Sequence, residues 1–193
     1  MSESAARPLR ADAERSVRAI LEAAERVLSK DPGASMEQIA AAAGVARTTI
    51  HRRFAHRQAL IEALASSAAR QLVQAVEDGR PDTAPPLVAL HRITANVLEV
   101  KGAWTFALEL PADPGSEAAA LHEDLGRHCI TVLERARADK LIDEAADLHW
   151  VRRVYYALLG ESLHGSPDDT GIDTDTLAAR IIDTLLHGAG PRT

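Results

Sequence analysis

Only one cysteine, Cys129, stands in the 193 residues, so no intramolecular disulfide framework and no cysteine-rich zinc site can form. That usage fits a reducing compartment, and the chain is expected to be cytoplasmic. Aromatic residues are equally scarce, at 3%. With few of the side chains that favour strands, and with 37 alanines, the composition points to helix. Long apolar runs are missing too. None approaches the ~18 consecutive apolar residues of a membrane span. The opening stretch MSESAARPLRADAERS has no apolar segment, which predicts neither a secretory signal nor a membrane partner.

Positive charge is in deficit as well: 22 Lys+Arg face 28 Asp+Glu, for a net −6. Taken whole, that figure argues against a polyanionic partner. Its distribution argues otherwise. Residues 1–70 hold 11 Lys+Arg against 8 Asp+Glu, a net +3, whereas residues 71–193 hold 11 against 20, a net −9. A basic front and an acidic back predict two regions with different partners.

What is present is helical periodicity. Val17, Ile20, Leu21, Ala24, Val27 and Leu28 recur at the spacing of one buried helix face. Asp12 is expected to cap that helix and Asp31-Pro32-Gly33 to stop it. Ser35-Met36-Glu37-Gln38 reads as a capping box opening a second helix over 36–43. Gly44 then stands where a left-handed C-cap needs glycine. Only Gly44-Val45-Ala46 separates this helix from the next, expected over 47–54, and the pair reads as a helix-turn-helix. A fourth helix is expected near 56–77, ended by the proline-rich stretch around Pro81, Pro85 and Pro86. Further helices are expected near 87–101, 103–110, 116–138, 147–164 and 173–187, the last capped by Asp173 and closed by Gly188. No strand alternation persists, so the fold is expected to be all-α. An N-terminal arm and helix-turn-helix domain over 1–57 would precede a larger helical domain over 58–193.

The segment GVARTTIHRRF carries the chemistry. A helix entering the major groove must offer side chains that reach base edges and phosphates. Here Arg47, Thr48, Thr49, His51, Arg52 and Arg53 fall within seven positions, while Val45, Ile50 and Phe54 are spaced to anchor the helix from behind. Arg47, Thr48 and Thr49 occupy the first turn, which approaches DNA most closely in helix-turn-helix docking. His51 and Arg52 extend the face, and His56 and Arg57 open the next helix, where a backbone contact is expected. The partner read from these residues is double-stranded DNA.

Over about residues 15–64 the chain resembles the DNA-binding domain of TetR-type (tetracycline-repressor-like) transcriptional regulators. The resemblance lies in ILEAAERVL on the first helix, SMEQIAAAAGVARTTIHRRF over the helix-turn-helix and HRQALIEALA opening the fourth helix. It implies a three-helix DNA-binding domain and a larger C-terminal domain that dimerises and binds a small-molecule effector. It also implies repression from a palindromic operator until the effector releases the protein. Three positions depart from the family's habit. His51 stands where Tyr is frequent, Ala46 replaces the usual serine cap, and His56-Arg57 replaces a lysine. Carried over residue by residue, the DNA face comprises Thr48, Thr49 and His51, with Arg47 and Arg52 as base or backbone partners. Arg7 and Arg10 would lie in an arm able to add groove or phosphate contacts.

In the acidic half, Leu148, Val151, Val154, Tyr155, Leu158, Leu159 and Leu163 cover a broad apolar arc, as do Leu177, Ile181, Ile182, Leu185 and Leu186. Helices apolar over so wide an arc need partners on more than one side. Together with the resemblance, this predicts a homodimer through a four-helix interface. An effector pocket is expected between helices, lined by Trp104, Phe106 and Tyr155, with His91 and His128 as hydrogen-bonding groups. The scarcity of aromatics favours aliphatic walls over a site for a flat polycyclic cation. His122 with His128, and Glu161 with His164, are weak metal pairs without an HExxH or paired CxxC, and no metal or other cofactor is expected. Cys129 and His128 are adjacent on a helix and so point apart, and no GxSxG, P-loop or dinucleotide fingerprint occurs. No enzymatic activity is expected. The alternative is a helical ligand-binding or interaction module without DNA binding.

Overall fold

A computed structural model describes residues 3–162 and 172–188, with side chains from residue 12 onward. The helices, in chain order, are α1 (Glu3–Leu28), α2 (Met36–Ala42), α3 (Arg47–Arg53), α4 (Arg57–Asp78), α5 (Pro86–Ala103), α6 (Thr105–Glu109), α7 (Glu117–Ala138), α8 (Leu148–Glu161) and α9 (Thr174–His187). No strand forms among the described residues. The all-α expectation therefore holds, with most boundaries within two residues of those read from capping signals.

One cap differs. Asp12 does not open α1, which is already helical from Glu3; its carboxylate instead pairs with Arg15 one turn on. The backbone at Arg7 and Arg10 lies in this helix, while their side chains lie outside the described ones. His164 and Leu163 also lie outside the described residues.

The chain divides into two compact units. Unit 1 is Met1–Ala68 with Trp104–Ala112, and unit 2 is Ala69–Ala103 with Asp113–Thr193. A boundary at residue 57 thus falls inside unit 1. The reason is local: α4 is one uninterrupted helix that contributes to both units, and α6 joins the unit of α1.

Unit 1 is built on the face foreseen for α1. Ile20, Ala24 and Leu28 are fully buried with Ile39 of α2, Ile50 of α3, and Leu60 and Leu64 of α4. Each such side chain contributes on the order of 1.5–3 kcal/mol relative to exposure. Arg57 ties the α1–α2 connection to α4 by donating to the carbonyls of Pro32 and Ala34. An unexpected member is Glu25, only 6% exposed, whose carboxylate accepts from the backbone N–H groups of Phe106 (2.7 Å) and Ala107 (3.0 Å). Those are the first-turn amides of α6, which has no cap of its own, because Trp104 at its N-cap makes no side-chain bond.

Unit 2 packs α5 against α7 and α9 around Ala89, Leu90, Ile93, Leu98, Leu133, Leu159 and Ile182. Two polar devices fix this core. Thr94 Oγ1 donates to the Leu90 carbonyl at 2.7 Å, so the Tyr155 hydroxyl, 2.8 Å away, donates to Thr94. Arg135 donates to the Pro81 and Ala84 carbonyls and holds the turn between α4 and α5 onto α7.

Candidate nucleic-acid interface

The helix-turn-helix is assembled from its own sequence. Ser35 Oγ accepts from the Gln38 N–H at 3.2 Å while Gln38 Oε1 accepts from the Ser35 N–H at 2.7 Å, so both halves of the capping box are made. At the other end of α2, Gly44 takes φ +67°, the left-handed conformation that a Cβ disfavours. The next amide, Val45 N–H, donates back to the Ala40 carbonyl at 3.0 Å, which closes the turn and aims the chain into α3. Ala46 opens α3 without a side-chain bond. The helix is held from behind instead, with Ile50 fully buried and Phe54 6% exposed.

Seated this way, α3 turns Arg47, Thr48, His51 and Arg52 to solvent, with Thr49 half-buried. His56 precedes α4, and its Nδ1 accepts from the Ala59 N–H at 3.1 Å. With Nδ1 an acceptor, the neutral ring carries its proton on Nε2, which is thereby a donor. Arg57 is differently employed, since it is half-buried and its guanidinium faces the α1–α2 connection. Six of the seven residues assigned to the DNA face thus gather on α3 and the turn after it, and the seventh braces the scaffold.

One acidic residue sits among them. Glu37, on the first turn of α2, forms an ion pair through Oε1 with Arg47, 2.9 Å from its Nε, and lies 3.5 Å from His51 Nε2. Its own backbone N–H and then the His51 ring hold its carboxyl below the usual carboxylate range. No signal in the sequence marked this contact, because it joins residues on two helices across the turn.

The residues expected in an effector pocket are divided between the units. Trp104, buried, and Phe106, half-buried, belong to unit 1 beside Glu25. In unit 2, Tyr155 is buried against Thr94, and His128 of α7 places Nδ1 3.1 Å from the Asp124 carbonyl. His91 lines an open groove of about 520 Å³ along α5 and α9, with Leu87, Ile182 and Leu186. Burial pushes the Cys129 thiol up to about 11, so it is a poor nucleophile at neutral pH. Among the described residues no three His, Cys, Asp or Glu side chains converge as a metal site, and no helix is long and apolar enough to cross a membrane.

A capped helix, a glycine turn and a second helix offering cationic and hydroxyl side chains over an apolar anchor define a helix-turn-helix DNA-binding protein. Comparison with known proteins agrees. The family described as "Bacterial regulatory proteins, tetR family" matches residues 20–64. The HTH-type transcriptional repressor LfrR of Mycolicibacterium smegmatis is 33% identical over 176 residues, 91% of this chain and 90% of that one. The crystal structure of the TetR-like regulator LfrR from Mycobacterium smegmatis in complex with proflavine superposes with a TM-score of 0.72 at 31% identity, covering 93% of this chain and 99% of that one. Fold alone is shared with PfmR of Thermus thermophilus, at TM-score 0.76 and 18% identity over 89% of this chain and 99% of that one. The same holds for FadR of Bacillus subtilis in complex with stearoyl-CoA, at 0.73 and 16% over 90% and 99%. The chain belongs to the tetR family of bacterial regulatory proteins and is a DNA-binding transcriptional regulator.

Proposed function

We propose that the chain is a cytoplasmic, effector-responsive repressor that binds a palindromic operator as a homodimer. The observation that carries the reading is the presentation of α3: Arg47 and Thr48 stand exposed on its first turn while Ile50 is fully buried behind them. On this reading Arg47, Thr48, Thr49, His51 and Arg52 face the groove, and His56 gives a phosphate contact through Nε2. Arg57 contributes by holding the scaffold. That LfrR is named a repressor and was solved with proflavine supports repression and small-molecule control here. The effector is proposed to enter unit 2, where Tyr155, His91 and His128 supply polar groups, and Trp104 and Phe106, which belong to unit 1, are left out of that site.

Dimerisation is supported by the exposed apolar surface of α8, where Trp150 is 58% and Tyr156 44% exposed. Two-fold symmetry would set the recognition helices about one helical turn, ~34–36 Å, apart. Effector and operator then oppose each other reciprocally, by a coupling of ~1–3 kcal/mol.

Footprinting of the purified protein on the DNA upstream of its own coding sequence, at low salt, tests the reading. Two protected half-sites are expected, lost on replacing both Thr49→Ala and His51→Ala while helicity and dimer mass stay unchanged. An upstream region bare of protection would count against the repressor, and unchanged protection by the double variant would remove those residues from the DNA face.

A further inference from the structure

We propose that Glu37 is a specificity-determining residue, whose ion pair leaves the Arg47 fork open to a guanine edge and withholds Arg47 and His51 from indiscriminate phosphate binding. The inference deepens the assignment of α3 as the DNA face and rests on it.

The geometry of the pair carries the argument. Glu37 Oε1 forms an ion pair with Arg47, 2.9 Å from its Nε. An ion pair made on the Nε side of the guanidinium leaves Nη1 and Nη2 to donate elsewhere. Those two groups are the fork that binds guanine O6 and N7 in the major groove. Arg47 is 74% exposed on its side chain, so the fork is open to a ligand. The same oxygen lies 3.5 Å from His51 Nε2, one turn further along α3, so one carboxylate serves both residues.

Charge explains the second half. Affinity for any duplex comes from cations that replace condensed counterions at phosphates. A carboxylate paired with Arg47 cancels that cation's net charge at the surface and repels a phosphate brought against it. A guanine edge carries no net charge, so it is not penalised in this way. This acidic side chain against α3 therefore lowers the background on random DNA more than it lowers binding to a matched site. Glu37 faces Arg47 and His51 on α3 and Ser35 at the N-cap of α2.

The test compares wild type, Glu37→Gln, Glu37→Ala and Arg47→Ala on two probes. One is a short random-sequence duplex; the other is the duplex that the wild type selects from a randomised library. Glu37→Gln removes the charge and keeps an acceptor oxygen, and Glu37→Ala removes both. Both are expected to bind the random duplex several-fold more tightly, with a salt slope steeper by about 0.9 for each Arg47 released to a phosphate. Glu37→Ala is expected to lose more of the preference for G·C over A·T at the Arg47 position, a preference worth roughly 5- to 150-fold for one bidentate contact. Arg47→Ala abolishes that preference. If Arg47→Ala changes both affinities while the Glu37 variants change neither affinity nor preference, the role of Glu37 is overturned. If Arg47→Ala changes nothing, the assignment of Arg47 to the DNA face fails first.

Discussion

Glu25 shows how a single side chain can carry a structural burden that its neighbours do not announce. Burial pushes its carboxyl above the usual range, against the opposing effect of the Phe106 and Ala107 amides. Truncation by Glu25→Ala leaves two first-turn amides of α6 without their partner, one of them in a buried residue. The expected loss is about 2 kcal/mol in urea titration, the desolvation cost of unsatisfied groups. The sign of its pH dependence follows from the direction of the shift. A carboxyl whose folded pKa lies above its unfolded one stabilises the fold in its protonated form. That contribution is complete below the unfolded value, near ~4.3, and is lost as pH rises through the raised one. Relative to Glu25→Gln, the wild type should therefore lose stability as pH climbs through that window. A difference flat in pH would show that the carboxyl is not shifted. Tyr155→Phe, by contrast, removes a donor from Thr94 but leaves Thr94 bonded to Leu90, so only about 1 kcal/mol is expected in the same titration.

Among the elements, Gly79 at the end of α4 is set by proximity and not by backbone torsion. A Cβ there would lie 2.3 Å from Ile93 Cγ1 and 3.0 Å from the Ile93 backbone nitrogen. Gly79→Ala should cost about 1–3 kcal/mol by overpacking. The penalty should shrink in an Ile93→Ala background, where the nearest atom is gone, and a double-mutant cycle measures that coupling. Undiminished cost would place the strain in the α4–α5 turn. The same contrast explains what could be read from sequence. Ser35 with Gln38, Gly44, Asp173 and Gly188 act on amides within four residues of themselves, so their spacing is visible in a string. Asp12 misled because a capping residue inside a longer helix looks the same as one at its start. The Glu25 contact spans 81 positions and the Glu37 contact with His51 spans 14 across a turn, and neither leaves a local trace. Periodicity likewise could not divide α4 between two units, since a continuous helix carries no mark where its neighbours change.

For the molecule as a whole, the net charge of −6 conceals the basic front, and the structure shows that even this front is partly spoken for. Arg57 is spent on two carbonyls and Arg47 on Glu37, which leaves Arg52 as the α3 cation on the proposed face that has no acid partner among the described residues. Phosphate affinity should accordingly be modest. On a matched operator Arg47 stays paired with Glu37 and reads an uncharged base edge, so Arg52 from each of two protomers supplies about two phosphate contacts. The expected slope of log affinity against log salt is then about −1.8. From 50 to 200 mM salt, operator affinity should fall roughly 12-fold by that slope. Random duplex should show a similar slope, because Arg47 is withheld from phosphate there too, and Glu37→Gln should steepen it toward about −3.6. Titrations by fluorescence anisotropy over that salt range measure both. A wild-type slope near about −3.6 on random DNA would mean that Glu37 yields Arg47 to any phosphate. A slope near zero on both would mean that the +3 of the N-terminal region never meets the duplex, and the groove-facing placement of α3 would have to be abandoned.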